Sequence, residues 1–294
     1  MKSRWIVNLV LLLLVAGMGL ALKFMPEKPQ AQPSTVTLSE LNSDTFSQIS
    51  IEAPAKNPVT LEKRDGRWWL VQPYKARADA MAVERVLSVV RAESVDKFDA
   101  TDPARYGLDH PALKLKLGAE EFLFGTFNPV SGKQYVGFRN SVYLIESKYS
   151  ESATTQVVEM LDKNLLAADE QIASFDFSRL EQWEEGGGLR MALEKDQWVV
   201  TRPNTTAKQE ELKGWFADSW GTLIAMSVEP YQPDHRKKYP SFEIKLKNGK
   251  TLHFDKESES PELILARPDE GLRYHFPQDV GFQILNPPVT ATKS

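Results

Sequence analysis

There is no cysteine among the 294 residues. That one absence removes structural disulfides, thiolate metal sites and a cysteine nucleophile together. It leaves the compartment open, because a body of roughly 250 residues can build its core without covalent staples. Histidine is scarce. His110, His235, His253 and His275 are the full set, and no two stand two, three or four residues apart. No local pair therefore offers a zinc-type ligand spacing, and only distant positions brought together by the fold could form a set. His110 precedes a proline in a turn. His253 and His275 sit between apolar residues in strands and read as outward-facing. Positive charge is also in short supply: 36 Lys and Arg stand against 40 Asp and Glu, a net charge of −4. A nucleic-acid binder would show a basic face. The densest basic run is His235-Arg236-Lys237-Lys238, which reads as a solvated turn, so no nucleic-acid partner is expected.

Catalytic signatures are missing as well. There is no Gly-x-Ser-x-Gly elbow. Gly125 and Gly132-Lys133 have the outline of a phosphate loop, but their glycines are seven apart and Gln134 stands where magnesium would need Ser or Thr. Asn128-Pro129 and Ser131-Gly132 make that stretch a turn. Gly186-Gly187-Gly188 reads as a loose turn. The acidic groups Glu184-Glu185 and Glu257, Glu259 and Glu262 lie beside glycine or serine and read as solvated surface. No catalytic, cofactor-binding or metal-ligating residue is assigned, and no cofactor is expected.

Apolar residues make up 41% of the chain, and 14 Phe, 8 Tyr and 7 Trp can fill a core. The body is folded. Ahead of it, Lys2 and Arg4 precede an apolar run from Ile6 to Leu22, 17 residues long, eleven of them Leu, Ile or Val. Those eleven favour insertion into a bilayer by roughly 3–6 kcal/mol. Trp5 and Phe24 flank the run as interfacial anchors. The length lies between a signal-peptide core and a spanning helix. Lys23-Phe24-Met25-Pro26 is no cleavage site, and Gly19-Leu20-Ala21 offers only a poor one. An uncleaved anchor, passing the membrane at residues 5–25, is the expectation, with a cleaved signal as the alternative. The charge bias places the N-terminus inside and the body outside. In a bacterium that means a single-pass inner-membrane protein with a periplasmic body.

The body repeats itself. Leu61-Glu62-Lys63, Trp68 and Pro73 recur as Leu193-Glu194-Lys195, Trp198 and Pro203, both Trp-to-Pro intervals being five residues. Each proline is followed by a helical pattern: Val83, Val86, Leu87 and Val90 in one case, Leu212, Trp215, Phe216 and Leu223 in the other. Thr206 and Gln209 suggest a capping box. Then Pro111-Ala112-Leu113-Lys114-Leu115-Lys116-Leu117 matches Pro240-Ser241-Phe242-Glu243-Ile244-Lys245-Leu246. Both alternate as half-buried strands do, 38 and 37 residues after the earlier proline. The expectation is an α+β fold: an N-terminal transmembrane helix, then two repeated units, each a helix packed on an antiparallel β-meander. The boundaries expected are a cytoplasmic tip and anchor at 1–25 and a Pro-rich linker at 26–40. The first repeat follows at 41–149, a connecting helix at 150–168 with Val157, Val158 and Leu161 as its apolar face, the second repeat at 169–288 and a tail at 289–294. Trp68 and Trp198 read as core. Trp69, Trp183 and Trp220 lack evident partners and are candidates for a partner or glycan surface.

Tyr106-Gly107-Leu108-Asp109-His110-Pro111, Trp68 with Pro73, Tyr135-Val136, and Leu161-Asp162-Lys163-Asn164-Leu165-Leu166 together carry a resemblance. The sequence resembles the bacterial family known as domain of unknown function 4340, over about residues 45–180. The second unit keeps the Trp and the Pro but has Lys238-Tyr239-Pro240 in place of the Tyr106–Pro111 run. The resemblance implies a membrane-anchored envelope component often encoded beside a gliding-motility-type ABC transporter, and it carries over no catalytic residue. A non-enzymatic binding or assembly module is therefore expected, with an ABC transporter permease or its auxiliary subunit as membrane-protein partner. The alternatives are a cell-wall or glycan binder and, behind it, a hydrolase built from scattered carboxylates.

Overall fold

The computed structural model describes residues 9–12, 14, 15, 17, 18, 35–221 and 223–292. Most of the expected anchor and linker, residues 1–25 and 26–40, lies outside the described residues. Among the described residues no helix is long and apolar enough to cross a membrane.

The first half holds β1 (Val36–Thr37), β2 (Gln48–Glu52), β3 (Val59–Arg64), β4 (Arg67–Gln72) and β5 (Ala76–Arg77), then α1 (Ala80–Leu87). It continues with β6 (Glu93–Ser94), β7 (Lys97–Asp99), β8 (Leu113–Leu117), β9 (Glu120–Phe127), β10 (Gln134–Phe138), β11 (Ser141–Ile145) and α2 (Lys148–Thr154). Nine of these strands make one antiparallel sheet in the order β5-β4-β3-β2-β8-β9-β10-β11-β7. The second half holds β12 (Ile172–Asp176), α3 (Glu181–Glu184), β13 (Arg190–Glu194), β14 (Gln197–Thr201), β15 (Thr205–Thr206) and α4 (Gln209–Trp220). After it come β16 (Ser227–Pro230), β17 (Ser241–Leu246), β18 (Thr251–Ser258), β19 (Glu262–Arg267), β20 (Leu272–Pro277), α5 (Gln278–Leu285) and β21 (Thr290–Ala291). Its sheet runs β14-β13-β12-β17-β18-β19-β20-β16. The fold mixes helix with antiparallel sheet, as expected. Both sheets share one order: a hairpin, a lead strand, four meander strands, and a closing strand that follows the helix.

In each sheet the hairpin and the meander form one continuous surface. The lead strands β2 and β12 stand between them, pairing the hairpin strand on one side and β8 or β17 on the other. Local chemistry sets the elements. The β3–β4 turn has Asp65 and Gly66 at φ 50° and 77°, and the β13–β14 turn has Lys195 and Asp196 at 47° and 62°. Both φ values positive is the geometry whose twist suits a two-residue hairpin. Asp79 caps α1 by accepting from the Ala82 N–H at 2.6 Å. Val83, Val86 and Leu87 of α1 are buried against the first sheet's inner face.

The capping box at Thr206 and Gln209 does not form. Thr206 is taken into β15, which pairs with β21. Gln209 instead holds the edge of β14, accepting from the Trp198 N–H at 2.9 Å and donating to the Trp198 carbonyl.

The connecting helix over 150–168 is also corrected. Helix α2 stops at Thr154, where Thr154 Oγ1 turns back to the Ser150 carbonyl. A 3-10 turn at Val157–Met160 follows, and the rest is extended. The reason is competition from both halves for this backbone. Asp79 N–H donates to the Met160 carbonyl and Asp162 N–H to the Arg77 carbonyl. Leu165 N–H donates to the Leu223 carbonyl, and Ala225 N–H to the Lys163 carbonyl. Extended pairing on two sides satisfies more of this backbone than a short helix would. Leu161 and Leu165 are fully buried, and one hydrophobic core runs through them from one half to the other.

Candidate functional site

The strap from Leu161 to Leu166 brings together side chains that are far apart in the sequence. Arg77, on the edge strand β5, is 7% exposed and reaches out of its own half. Its Nη1 lies 2.6 Å from Asp162 Oδ2 on the strap, its Nε 3.0 Å from Glu270 Oε1 and its Nη2 3.1 Å from the Tyr274 hydroxyl. Nη2 also donates to the Asn164 carbonyl at 2.7 Å. A second guanidinium, Arg267 on β19, is fully buried beside it. It donates to Glu170 at 2.9 and 3.0 Å, to Asp269 at 2.9 and 3.2 Å, and to the Leu165 carbonyl at 2.8 Å. Two buried cations are thus each held by two carboxylates and a strap carbonyl. Such charges tolerate burial only when paired and fully hydrogen-bonded. Burial acts first on the Glu170 and Asp269 carboxyls, pushing toward the protonated form. The Arg267 hydrogen bonds outweigh it and hold both below the usual carboxylate range. Burial and the neighbouring Glu270 keep the Tyr274 phenol protonated.

A groove of about 490 Å³ opens over this network. Half-buried Trp69 lines it, together with Arg64, Arg67, Lys75, Lys250 and Asp169. Arg67 crosses to Asp169 at 2.7 Å, and Lys250 reaches Asp269 at 3.2 Å. A second cleft of about 330 Å³ shares Trp69, Arg67 and Arg77 with the groove and extends to Met81 on α1. Exposed Met81, and exposed Ile224, which bridges to Asn164, place apolar side chains at the same waist. The groove joins an aromatic face and four cationic side chains, with an apolar residue in the adjoining cleft, which suits binding. Its carboxylates are committed to ion pairs.

The other candidate residues fall elsewhere. Trp68 and Trp198 are core. Trp220 is buried and Trp183 half-buried, and both have partners that no sequence pattern announces. The indole N–H groups of Trp215, Trp220 and Trp183 donate to the carbonyls of Gln283, Ile284 and Leu285 at 2.6, 3.2 and 2.9 Å. These are carbonyls of the last turn of α5, which a helix cannot satisfy internally. The expectation that Trp183 or Trp220 marks a partner surface is therefore replaced by a capping role. Glu257 and Glu262 are on strands, not in loops. Glu257 lies 3.5 Å from Arg273, and His275 is held at 3.0 Å from both Glu262 and Glu229. Glu184 and Glu185 are exposed, and Glu259 pairs with Lys256. His110 is exposed in its turn. Among the described residues, no group of three or more His, Asp or Glu side chains is placed to hold a metal ion.

The Tyr106–Pro111 motif has a structural task. A 3-10 turn at Pro103–Tyr106 ends in Gly107 at φ 69°, and Tyr106 and Leu108 then press on the outer face of the first sheet. A Cβ on Gly125 would stand 2.0 Å from the Tyr106 carbonyl oxygen, and one on Gly137 would stand 3.0 Å from a Leu108 methyl. The glycine that suggests a phosphate loop is a seat for this motif.

A family model described as domain of unknown function (DUF4340) matches residues 68–224. The match opens at Trp68 and closes at Ile224, so it encloses β5, α1, the strap and the groove's waist. No curated protein and no solved structure matches the chain.

Proposed function

Taking as premise that the chain belongs to the DUF4340 family, we propose that it is a membrane-anchored, non-enzymatic binding module of the bacterial envelope. The residues before and within the 6–22 run support a single-pass anchor with the body in the periplasm. The common strand order of the two sheets supports descent from one duplicated unit. The observation that carries the binding role is the junction groove. The family-matched segments converge there, and it presents Trp69 among the cations Arg64, Arg67, Lys75 and Lys250, with Met81 in the adjoining cleft. Its occupant is an integral-membrane partner, and the resemblance implies an ABC transporter permease or its auxiliary subunit.

Site-directed photocrosslinking in native membranes tests this. A photoreactive residue at Lys75 or Met81 gives a discrete adduct with a membrane protein, and one at exposed Lys56 gives none. Equal yields from both positions, or no adduct at either groove position, would remove the groove from the proposal. A second reading, binding of a cell-wall glycan, is favoured by Trp69, whose ring lies among hydrogen-bonding Arg67, Asp169 and Lys75. Retention on isolated cell wall that Trp69→Ala abolishes would select it over the first.

A further inference from the structure

The segment between β16 and β17, residues 231–240, occupies the place in the second half that the Tyr106–Pro111 motif fills in the first. There the motif covers the sheet. Here the segment stands off and leaves a cup of about 510 Å³ over β17 and β18. The residue changes account for the difference. Strand register aligns Phe124 with Phe254 and so Gly125 with Asp255, and the shared Pro111 and Pro240 align Ala112 with Ser241. A glycine seat has become a carboxylate, and a methyl group has become a hydroxyl.

The cup gathers cations from two parts of the chain. Lys237 and Lys238 come from the basic run and Arg179 from the loop after β12, and the imidazole of His253 on β18 lines the wall beside them. The loop is fixed by its own hydrogen bonds. Lys237 N–H donates to the Asp234 carbonyl at 2.9 Å, Arg236 N–H to Asp234 Oδ1 at 3.1 Å, and Asp234 N–H to the Tyr239 hydroxyl at 3.3 Å. Lys237 and Lys238 are exposed and have no ion-pair partner among the described residues, and Arg179 has one contact, to Glu243 at 3.5 Å. The two carboxylates in the lining are already engaged. Asp255 accepts from the Tyr231 hydroxyl at 2.9 Å and lies 3.0 Å from His253, and Asp234 is paired with Arg236. Ser241 is 7% exposed, lines the cup, and its hydroxyl has no hydrogen-bond partner among the described residues.

We propose that this cup binds a phosphate-bearing anion. Two ammoniums, a guanidinium and a free hydroxyl converge on one space, and their common complement is a compact, multiply charged group with several acceptor oxygens. The site is separate from the junction groove and does not depend on its occupant. Lys237 and Lys238 supply the charge, Arg179 closes the far wall, and Ser241 gives a short-range donor from the sheet.

The test uses the full-length chain in nanodiscs of phosphatidylcholine, with amine acylation of Lys237 and Lys238 read by mass spectrometry. Inorganic phosphate slows labelling of these two lysines severalfold relative to sodium chloride of equal ionic strength, and leaves exposed Lys56 unchanged. Ser241→Ala weakens the protection. Arg179→Gln weakens it about tenfold, as expected for loss of a charge-assisted hydrogen bond. Both variants keep the parent's thermal midpoint in the absence of phosphate. Protection by free phosphate assigns the site to soluble phosphate esters. Protection only when phosphatidylglycerol replaces part of the phosphatidylcholine assigns it to a lipid headgroup. If neither gives more protection than chloride, the proposal is wrong.

Discussion

Arg77 shows how one side chain ties the two sheets together. It lies on the edge strand of the first, yet its hydrogen bonds go to Asp162 and Asn164 on the strap and to Glu270 and Tyr274 in the second half. Removing it leaves the Asp162 carboxylate without its cation and Glu270 with only Arg267, 3.5 Å away. Arg77→Met should therefore cost about 3–5 kcal/mol, the usual penalty for breaking one side of a buried pair. Arg77→Lys should recover only part of this, because one ammonium cannot reach the separate acceptors that the planar guanidinium bridges. Chemical denaturation of these variants, of Glu270→Gln and of the Arg77→Met, Glu270→Gln double variant closes a double-mutant cycle and measures the coupling. A cycle energy near zero would mean that the Arg77–Glu270 pair adds nothing to stability. None of this could be read from the sequence. Arg77 and Glu270 are separated by 193 positions, and nothing around either marks a partner.

At the scale of elements, two devices lock secondary structure in place. The Tyr106–Pro111 motif needs the bare backbone of Gly125, whose Cβ would overlap a carbonyl oxygen at 2.0 Å. Gly125→Ala should cost upward of about 1–3 kcal/mol, the range for overpacking, since backbone must move. Gly132→Ala has open space around it, so its cost should come only from its φ of 70°. Thermal midpoints of the two variants test the seat, since only at Gly125 would a Cβ meet backbone. The three indole caps make a parallel case. Trp215→Phe keeps a ring but removes the donor to the Gln283 carbonyl, and should cost about 1–3 kcal/mol with fraying of α5 in hydrogen exchange. The strands themselves were legible. Leu113 to Leu117 and Phe242 to Leu246 alternate over their full length, and Asp65-Gly66 and Asn248-Gly249 are turn-forming dipeptides between strands. The short closing strand β7 has no such run, being three exposed residues that only pairing with β11 makes extended. The strap was misread for a related reason. Val157, Val158 and Leu161 do carry helical spacing, but pairing to both halves overrides a weak local preference. The indole caps are invisible for a different reason. A tryptophan's position gives its bulk, but the target of its N–H is fixed only by the tertiary fold.

For the whole molecule, the continuous core and the buried charges make the junction sensitive to acid. Glu170 and Asp269 are held ionised by Arg267 against the opposing effect of burial, so their folded-state pKa values lie below those of the unfolded chain. A depressed carboxyl contributes its full stabilisation above the unfolded pKa, about 4, and loses it as the pH falls through the folded value. Unfolding free energy should therefore be level from about pH 7 to pH 5 and fall steeply below about pH 4. Glu170→Gln should lower stability at neutral pH, since Arg267 loses one of its carboxylate partners. It should also flatten the acid slope, because one fewer depressed group remains to be titrated. Because Leu161 and Leu165 belong to the core of both halves, the two sheets should unfold in one transition at pH 7, observed by tryptophan fluorescence and circular dichroism alike. Most of the tryptophans are in the second half, while both sheets contribute to the dichroism. If the halves separate in acid, fluorescence and dichroism will no longer coincide, and the divergence should begin at the pH where the Arg267 pairs are lost. An acid slope unchanged in Glu170→Gln would show that the sensitivity lies elsewhere, and the junction network would then have no special place in the stability of the fold.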